Sequence, residues 1–164
     1  MSFLNKNLQK ENNQLNIKVN MNNSAFQKIF DKISSEDLYK RVMFFSQIIA
    51  QNEGISEKDL KLLLLASALH DAGKIRDRKD CEHGKNSAEI AKTYLRKNIN
   101  SISEEDIKII QIAIEYHTVK EKINFTELVK LCQKYNVAMS NFERIKMISL
   151  ILKDADALDR TRFD

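Results

Sequence analysis

Not one proline interrupts the 164 residues of this chain, and it contains only three glycines. Sheets and barrels turn tightly and need those residue types at their corners. A chain so poor in them is expected to be all-α, with helices joined by polar connections. Its length suits one domain with a core of its own. With 43% hydrophobic and 30% charged residues, it has the balance of a soluble globular protein.

Helix punctuation recurs along the sequence. Residues 1–23 are rich in Asn and Lys and are expected to form a loosely docked arm. Residues 24–164 then form the folded domain. A short amphipathic helix is predicted over 25–33. Ser35 caps a second, reaching about Gln51, with Val42, Phe45, Ile48 and Ile49 inward and Gly54 at its C-terminal turn. Ser56-Glu57-Lys58-Asp59 resembles a capping box and opens a third. That helix is apolar on nearly all sides over 60–69, so it is expected at the centre of the bundle. A basic loop over 74–82 holds Arg76, Arg78 and Lys79, and a fourth helix runs from near Gly84 to Arg96. Ser103-Glu104-Glu105-Asp106 opens a fifth, whose Ile107, Ile110 and Ile114 lead at helical spacing to His117. A sixth covers 125–135. Ser140 is expected to cap a seventh, with Ile145, Ser149, Leu152, Asp156 and Asp159 on one face. No heptad persists, so the architecture is a single-domain, irregular bundle of six or seven helices.

Several function classes recede. The net charge of +4 is spread along the chain, enough to favour phosphates but unlike a nucleic-acid-binding tail. No segment approaches the roughly 20 apolar residues that span a bilayer. The first ten residues lack the apolar stretch of a signal peptide. Cys81 and Cys132 form no metal or redox motif. A reducing compartment, the cytoplasm, is the expected location.

The chemistry concentrates where apolar helices end. The run Leu62-Leu63-Leu64-Leu65-Ala66-Ser67-Ala68-Leu69 stops at His70-Asp71, with Gly73-Lys74 just beyond. A buried charge needs a partner or a metal, and an imidazole beside a carboxylate suits a divalent cation. His83 opens a helix, His117 ends an apolar face, and Asp156 lies on another. All three histidines of the chain occupy such positions.

The segments LLLLASALHDAGK, EHGKNSAEIAKTYL, AIEYHT and ILKDADALDR resemble, in order and spacing, the HD superfamily of metal-dependent phosphohydrolases. The resemblance covers about residues 36–160. The HG and YHT elements look most like the branch that includes bacterial diadenosine-tetraphosphate hydrolases. The resemblance implies an HD-type fold and a phosphohydrolase. His70, Asp71 and Asp156 match metal ligands, and His83 and His117 match histidines that bind a second metal or touch the substrate phosphate. Lys74 matches a basic residue near the phosphate. The implied cofactor is Mn, Fe, Mg or Zn, and the implied substrate a nucleotide or other phosphorylated small molecule, with homodimerisation left open.

One departure stands out. The family carries a further metal-binding histidine in the preceding helix, and its position falls on Leu38, with Asp37 and Tyr39 beside it. The remaining set still offers one nitrogen and two oxygens with open positions for water, a catalytic count. His70, Asp71, His83 and His117 are the candidate catalytic residues. His83 and His117 are placed to give a proton to a leaving oxygen. Both histidines, with Lys74, Arg76 and Arg160, are the candidate phosphate contacts. Without a metal, His70 and His117 still form an acid/base pair, as on the HD-like fold of bacterial effectors that cut phosphoribosyl-linked ubiquitin, which the DALDRTRF ending resembles. A degenerate HD domain that binds a nucleotide or protein partner is the third reading. Each position also has a plainer use: His70 as a helix C-cap, His83 as a helix-start residue, His117 as a satisfied core histidine, and Asp156 as half of a salt bridge.

Overall fold

The computed structural model describes residues 37–75, 82–120 and 125–160, with side chains described from Arg41 onward. The arm over 1–23, the helix expected over 25–33, Ser35, and the loop residues Arg76, Arg78, Lys79 and Cys81 lie outside the described residues. Within them the chain forms α1 (Asp37–Glu53), α2 (Glu57–Leu69), α3 (His83–Asn98), α4 (Glu104–Tyr116), α5 (Thr126–Lys134) and α6 (Phe142–Arg160). No strand occurs among the described residues, so the all-α expectation holds.

Local chemistry sets the helix ends. Gly54 adopts φ +65°, a left-handed conformation that costs glycine little, and the Gly54 and Ile55 amides close α1 onto the Gln51 and Ala50 carbonyls. Ser56 caps α2 by accepting from the Asp59 amide at 3.1 Å, and its hydroxyl donates to the Asp59 carboxylate at 2.9 Å. Ser103 repeats the arrangement on α4 with Asp106, at 3.1 and 2.7 Å. The expectation for Ser140 is corrected. It lies exposed inside a 3-10 turn, Met139–Asn141, that runs straight into α6 with no side-chain cap. A serine already turning within the backbone coil is not in the extended conformation an N-cap needs.

Helices α2 and α4 form the centre. Every residue over 62–69 is buried, as the all-round apolar pattern required. On α4, Ile107, Ile110 and Ile114 are buried, along with most of the helix between Asp106 and Tyr116. Helix α1 packs on α2 and α6, α3 on α4 and α2, and α5 on α4 and α6. Ser46 of α1 and Ser67 of α2 are fully buried and satisfy each other at 2.8 Å, where small residues let the two helices approach closely. The inward face foreseen on α6 is intact: Ile145, Ser149, Leu152, Asp156 and Asp159 are all buried.

The two capping carboxylates share one cation. Arg144 of α6 donates to Asp59 of α2 through Nε and reaches Asp106 of α4 at 3.5 Å, while Lys58 holds Asp106 at 3.0 Å. Burial disfavours the Asp106 charge, but the Ser103 hydroxyl, Lys58 and Arg144 outweigh it and hold the carboxyl below its ordinary range. A depressed carboxyl contributes stability that is full above its unfolded value and fades as pH falls through the folded one. Arg144→Met is therefore expected to lower the unfolding free energy by about 1–3 kcal/mol at neutral pH. The difference from wild type should narrow below about pH 4 as Asp106 protonates. Urea unfolding at the two pH values measures both, and a gap that widens on acidification would refute the account.

Candidate metal and phosphate site

His70 and His117 are the C-cap residues of α2 and α4. Their Nδ1 atoms donate to carbonyls one turn back on their own helices, Ser67 at 2.7 Å for His70 and Ile114 for His117. That bond fixes each ring and turns Nε2 away from the helix. The two rings meet edge to face with centroids 5.1 Å apart. His83, the first residue of α3, joins them: its Nε2 lies 3.2 Å from His117 Nε2.

Two glycines let α3 enter. The Gly73 amide donates to Ser87 Oγ at 2.9 Å, and a Cβ on Gly73 would fall 2.6 Å from the Ser87 backbone nitrogen. A Cβ on Gly84 would fall 2.7 Å from Thr118 Oγ1. The first turn of α3 thus fits between the turn that follows His70-Asp71 and the turn that follows His117. His83 reaches the other histidines because neither flank carries a side chain.

The carboxylates complete the cluster. Asp71 Oδ1 faces His83 Nε2 at 3.4 Å and His117 Nε2 at 3.7 Å. Its Oδ2 faces His70 Nε2 at 3.7 Å and Lys74 Nζ at 2.7 Å. From α6, Asp156 puts Oδ1 3.7 Å from His70 Nε2, and Arg160 holds its Oδ2 at 2.8 Å. Asp156 therefore has both the cation of the plain salt-bridge reading and a place beside His70. Neighbouring α6 residues differ: Asp154 is exposed, while Asp159 turns to Arg41 on α1 at 2.7 Å.

Charge separates the two inner histidines. Burial opposes protonation of His70, but its bond to Asp156 and the charges of Asp71 and Asp156 win and raise its pKa. At His117 burial wins, aided by His70, and the pKa is lowered despite Asp71. Both carboxyls titrate below their ordinary range: burial opposes this, but His117, His70 and Lys74 outweigh it at Asp71, and His70 and Arg160 at Asp156. The Nδ1 hydrogen of His117 is spent on the Ile114 carbonyl, which leaves Nε2 as the ring atom that faces His83 and Asp71.

The donor set fits a divalent cation. His70, Asp71 and His117 place one ligand atom each within 4.8 Å of one another, with Asp156 alongside. Two imidazole nitrogens and two carboxylate oxygens suit a borderline metal such as Mn, Fe or Zn. Reading the sequence alone assigned His117 to a second metal or the substrate phosphate and did not foresee its closeness to His70 and Asp71. The missed signal is spacing: Ser56, Asp59 and His70 recur as Ser103, Asp106 and His117 at the same intervals, which brings both imidazoles to the same depth. Arg76 lies outside the described residues, while Lys74 and Arg160 are exposed at the cluster's edge.

Comparison with known protein families matches the HD domain over residues 39–161. The chain belongs to the HD domain family. No curated protein and no solved structure matches it. The HD domains form a superfamily of metal-dependent phosphohydrolases and generally bind divalent metals, which agrees with the donor chemistry. In this HD domain the preceding helix is α1, and the side chains of Asp37, Leu38 and Tyr39, where the usual histidine is missing, are outside those described. No helix among the described residues is long and apolar enough to cross a membrane.

The α3 entry point is testable by itself. Gly73→Ala forces a methyl against backbone atoms and is expected to lower stability by about 1–3 kcal/mol. Ser87→Ala removes one hydrogen bond and is expected to cost about 1 kcal/mol. Urea unfolding reads both, and wild-type stability in Gly73→Ala would show that no close contact exists.

Proposed function

We propose that the protein hydrolyses a phosphate ester or anhydride of a nucleotide or other phosphorylated small molecule. The observation that supports this most is the convergence of His70, Asp71, His83, His117 and Asp156, from three helix ends and the inward face of a fourth helix, on one point. His70, Asp71 and Asp156, with His117, would hold the metal, which there would supply an activated water and polarise a phosphoryl oxygen.

The protein's own groups do the rest. Its side-chain exposure is 17%, against 4% for His70 and 2% for His117, so His83 is the histidine open to an incoming substrate. It stands beside His117 and is the group that gives a proton to the leaving oxygen. Lys74 and Arg160, each anchored on a site carboxylate, carry exposed cationic ends that balance phosphate charge. Arg76 is assigned the same role from its place in the loop. The free, buried Cys132 suits a reducing location, the cytoplasm.

The His83–His117 contact also supports a second reading, a metal-independent phosphodiesterase in which these two imidazoles exchange the proton.

Metal-stripped protein tested on a panel of nucleotides and dinucleotides, with and without Mn, separates the two. Activity that returns only with metal and vanishes in Asp71→Ala is the expected result. His83→Ala is expected to lower kcat by about 10²–10⁴-fold. Full turnover in excess chelator, lost in His117→Ala, would replace the metal reading with the second one. Nucleotide binding without any turnover would leave only a binding domain.

A further inference from the structure

Lys153 belongs to none of the sets above, yet it joins two of the elements that build the site. It sits on α6, less than one helical turn before Asp156. Its Nζ donates to the Val119 carbonyl, two residues beyond His117. The same ammonium lies 4.8 Å from the centroid of the Tyr116 ring, which is itself buried. The first contact falls on the turn that follows α4 and the second on the helix's last residue.

The C-terminal carbonyls of α4 are occupied in sequence. Ala113 takes the His117 amide, Ile114 takes His117 Nδ1, Glu115 takes the Thr118 hydroxyl, and Tyr116 takes the Val119 amide. Lys153 takes the Val119 carbonyl, in the turn three residues past Tyr116, and brings a positive charge near the negative end of the helix. Its position over Tyr116 adds a cation–π attraction. One side chain therefore connects the turn bearing His117 to the stretch of α6 bearing Asp156.

We infer that Lys153 is a positioning residue that fixes His117 against Asp156 and His70, and so sets how well the cluster grips a cation. The link to metal rests on the function proposed above. The effect on the His117 ring does not. Groups outside the first coordination layer that orient a ligand typically change metal affinity by about 10–100-fold when removed.

Lys146 provides the control. It lies two turns earlier on α6, sits 5.2 Å from the Phe125 ring centroid and pairs with Glu143 at 2.8 Å, a similar bonding pattern away from the site. Lys153→Met, Lys153→Arg and Lys146→Met are compared with wild type by titration with Mn and by thermal melting. Nitrogen-15 imidazole spectra of chelator-treated protein add a metal-free readout, and every histidine of the chain then reports on the site.

Lys153→Met is expected to bind Mn about 10–100-fold more weakly and to shift the His117 imidazole signals. Lys153→Arg should recover most of the affinity, and Lys146→Met should keep it all. Wild-type Mn affinity and unmoved His117 signals in Lys153→Met would overturn the inference, as would an equal loss of affinity in Lys146→Met. If wild-type protein binds no Mn at all, the metal reading falls, and the imidazole signals alone decide whether Lys153 positions His117.

Discussion

The site depends on two helices of equal length held in parallel register. Helices α2 and α4 each run 13 residues between a capping serine and a histidine, a rise of roughly 20 Å. Their N-terminal carboxylates share Arg144, and their C-terminal imidazoles share a ring contact. A slip of one residue between them would move one histidine by about 1.5 Å along the axis and swing it by about 100°. The His70–His117 pairing would then be lost. The apolar core alone does not forbid such a slip, because hydrophobic attraction is non-directional. A guanidinium between two fixed carboxylates is directional, and it acts at the end where direction sets the register.

At the other end the molecule concentrates charge instead of avoiding it. Asp71 and Asp156 are largely withdrawn from water, which costs free energy unless each finds compensation. The structure divides that work by oxygen atom. Both Oδ1 atoms look toward imidazoles, and both Oδ2 atoms are held by a cation whose own end stays exposed, Lys74 and Arg160, with Asp71 Oδ2 facing His70 as well. An arrangement chosen for stability alone would fill this space with apolar side chains. Clustered imidazoles and carboxylates with opposed proton affinities are instead the pattern of a site shaped for chemistry.

Much of this was legible in the sequence because it is written locally. The serine caps at Ser56 and Ser103, the apolar run ending at His70, and the Ile107–Ile110–Ile114 stripe leading to His117 each depend on residues within one helix. What stayed hidden depends on pairs remote in sequence. Arg144 and Asp59 are 85 residues apart, and Lys153 and Val119 are 34 apart; no periodicity links such positions. The place of His117 in the donor set was hidden for the same reason, since ring direction follows from the register of two helices and not from either alone. Ser140 erred the other way: its local signal was clear, and a 3-10 turn continuous with α6 overrode it.

The bond from Gly73 to Ser87 closes a loop 14 residues around. Its two ends are pinned next to the histidines, one by a backbone amide and the other by a serine hydroxyl. Loop-closure entropy grows only with the logarithm of length, about 0.6 kcal/mol per doubling. A change in the number of residues between Lys74 and Glu82 therefore adds little to the entropy of closing the loop. The histidines before and after that stretch are thus tied together through Gly73 and Ser87, and not through the length of chain that joins them.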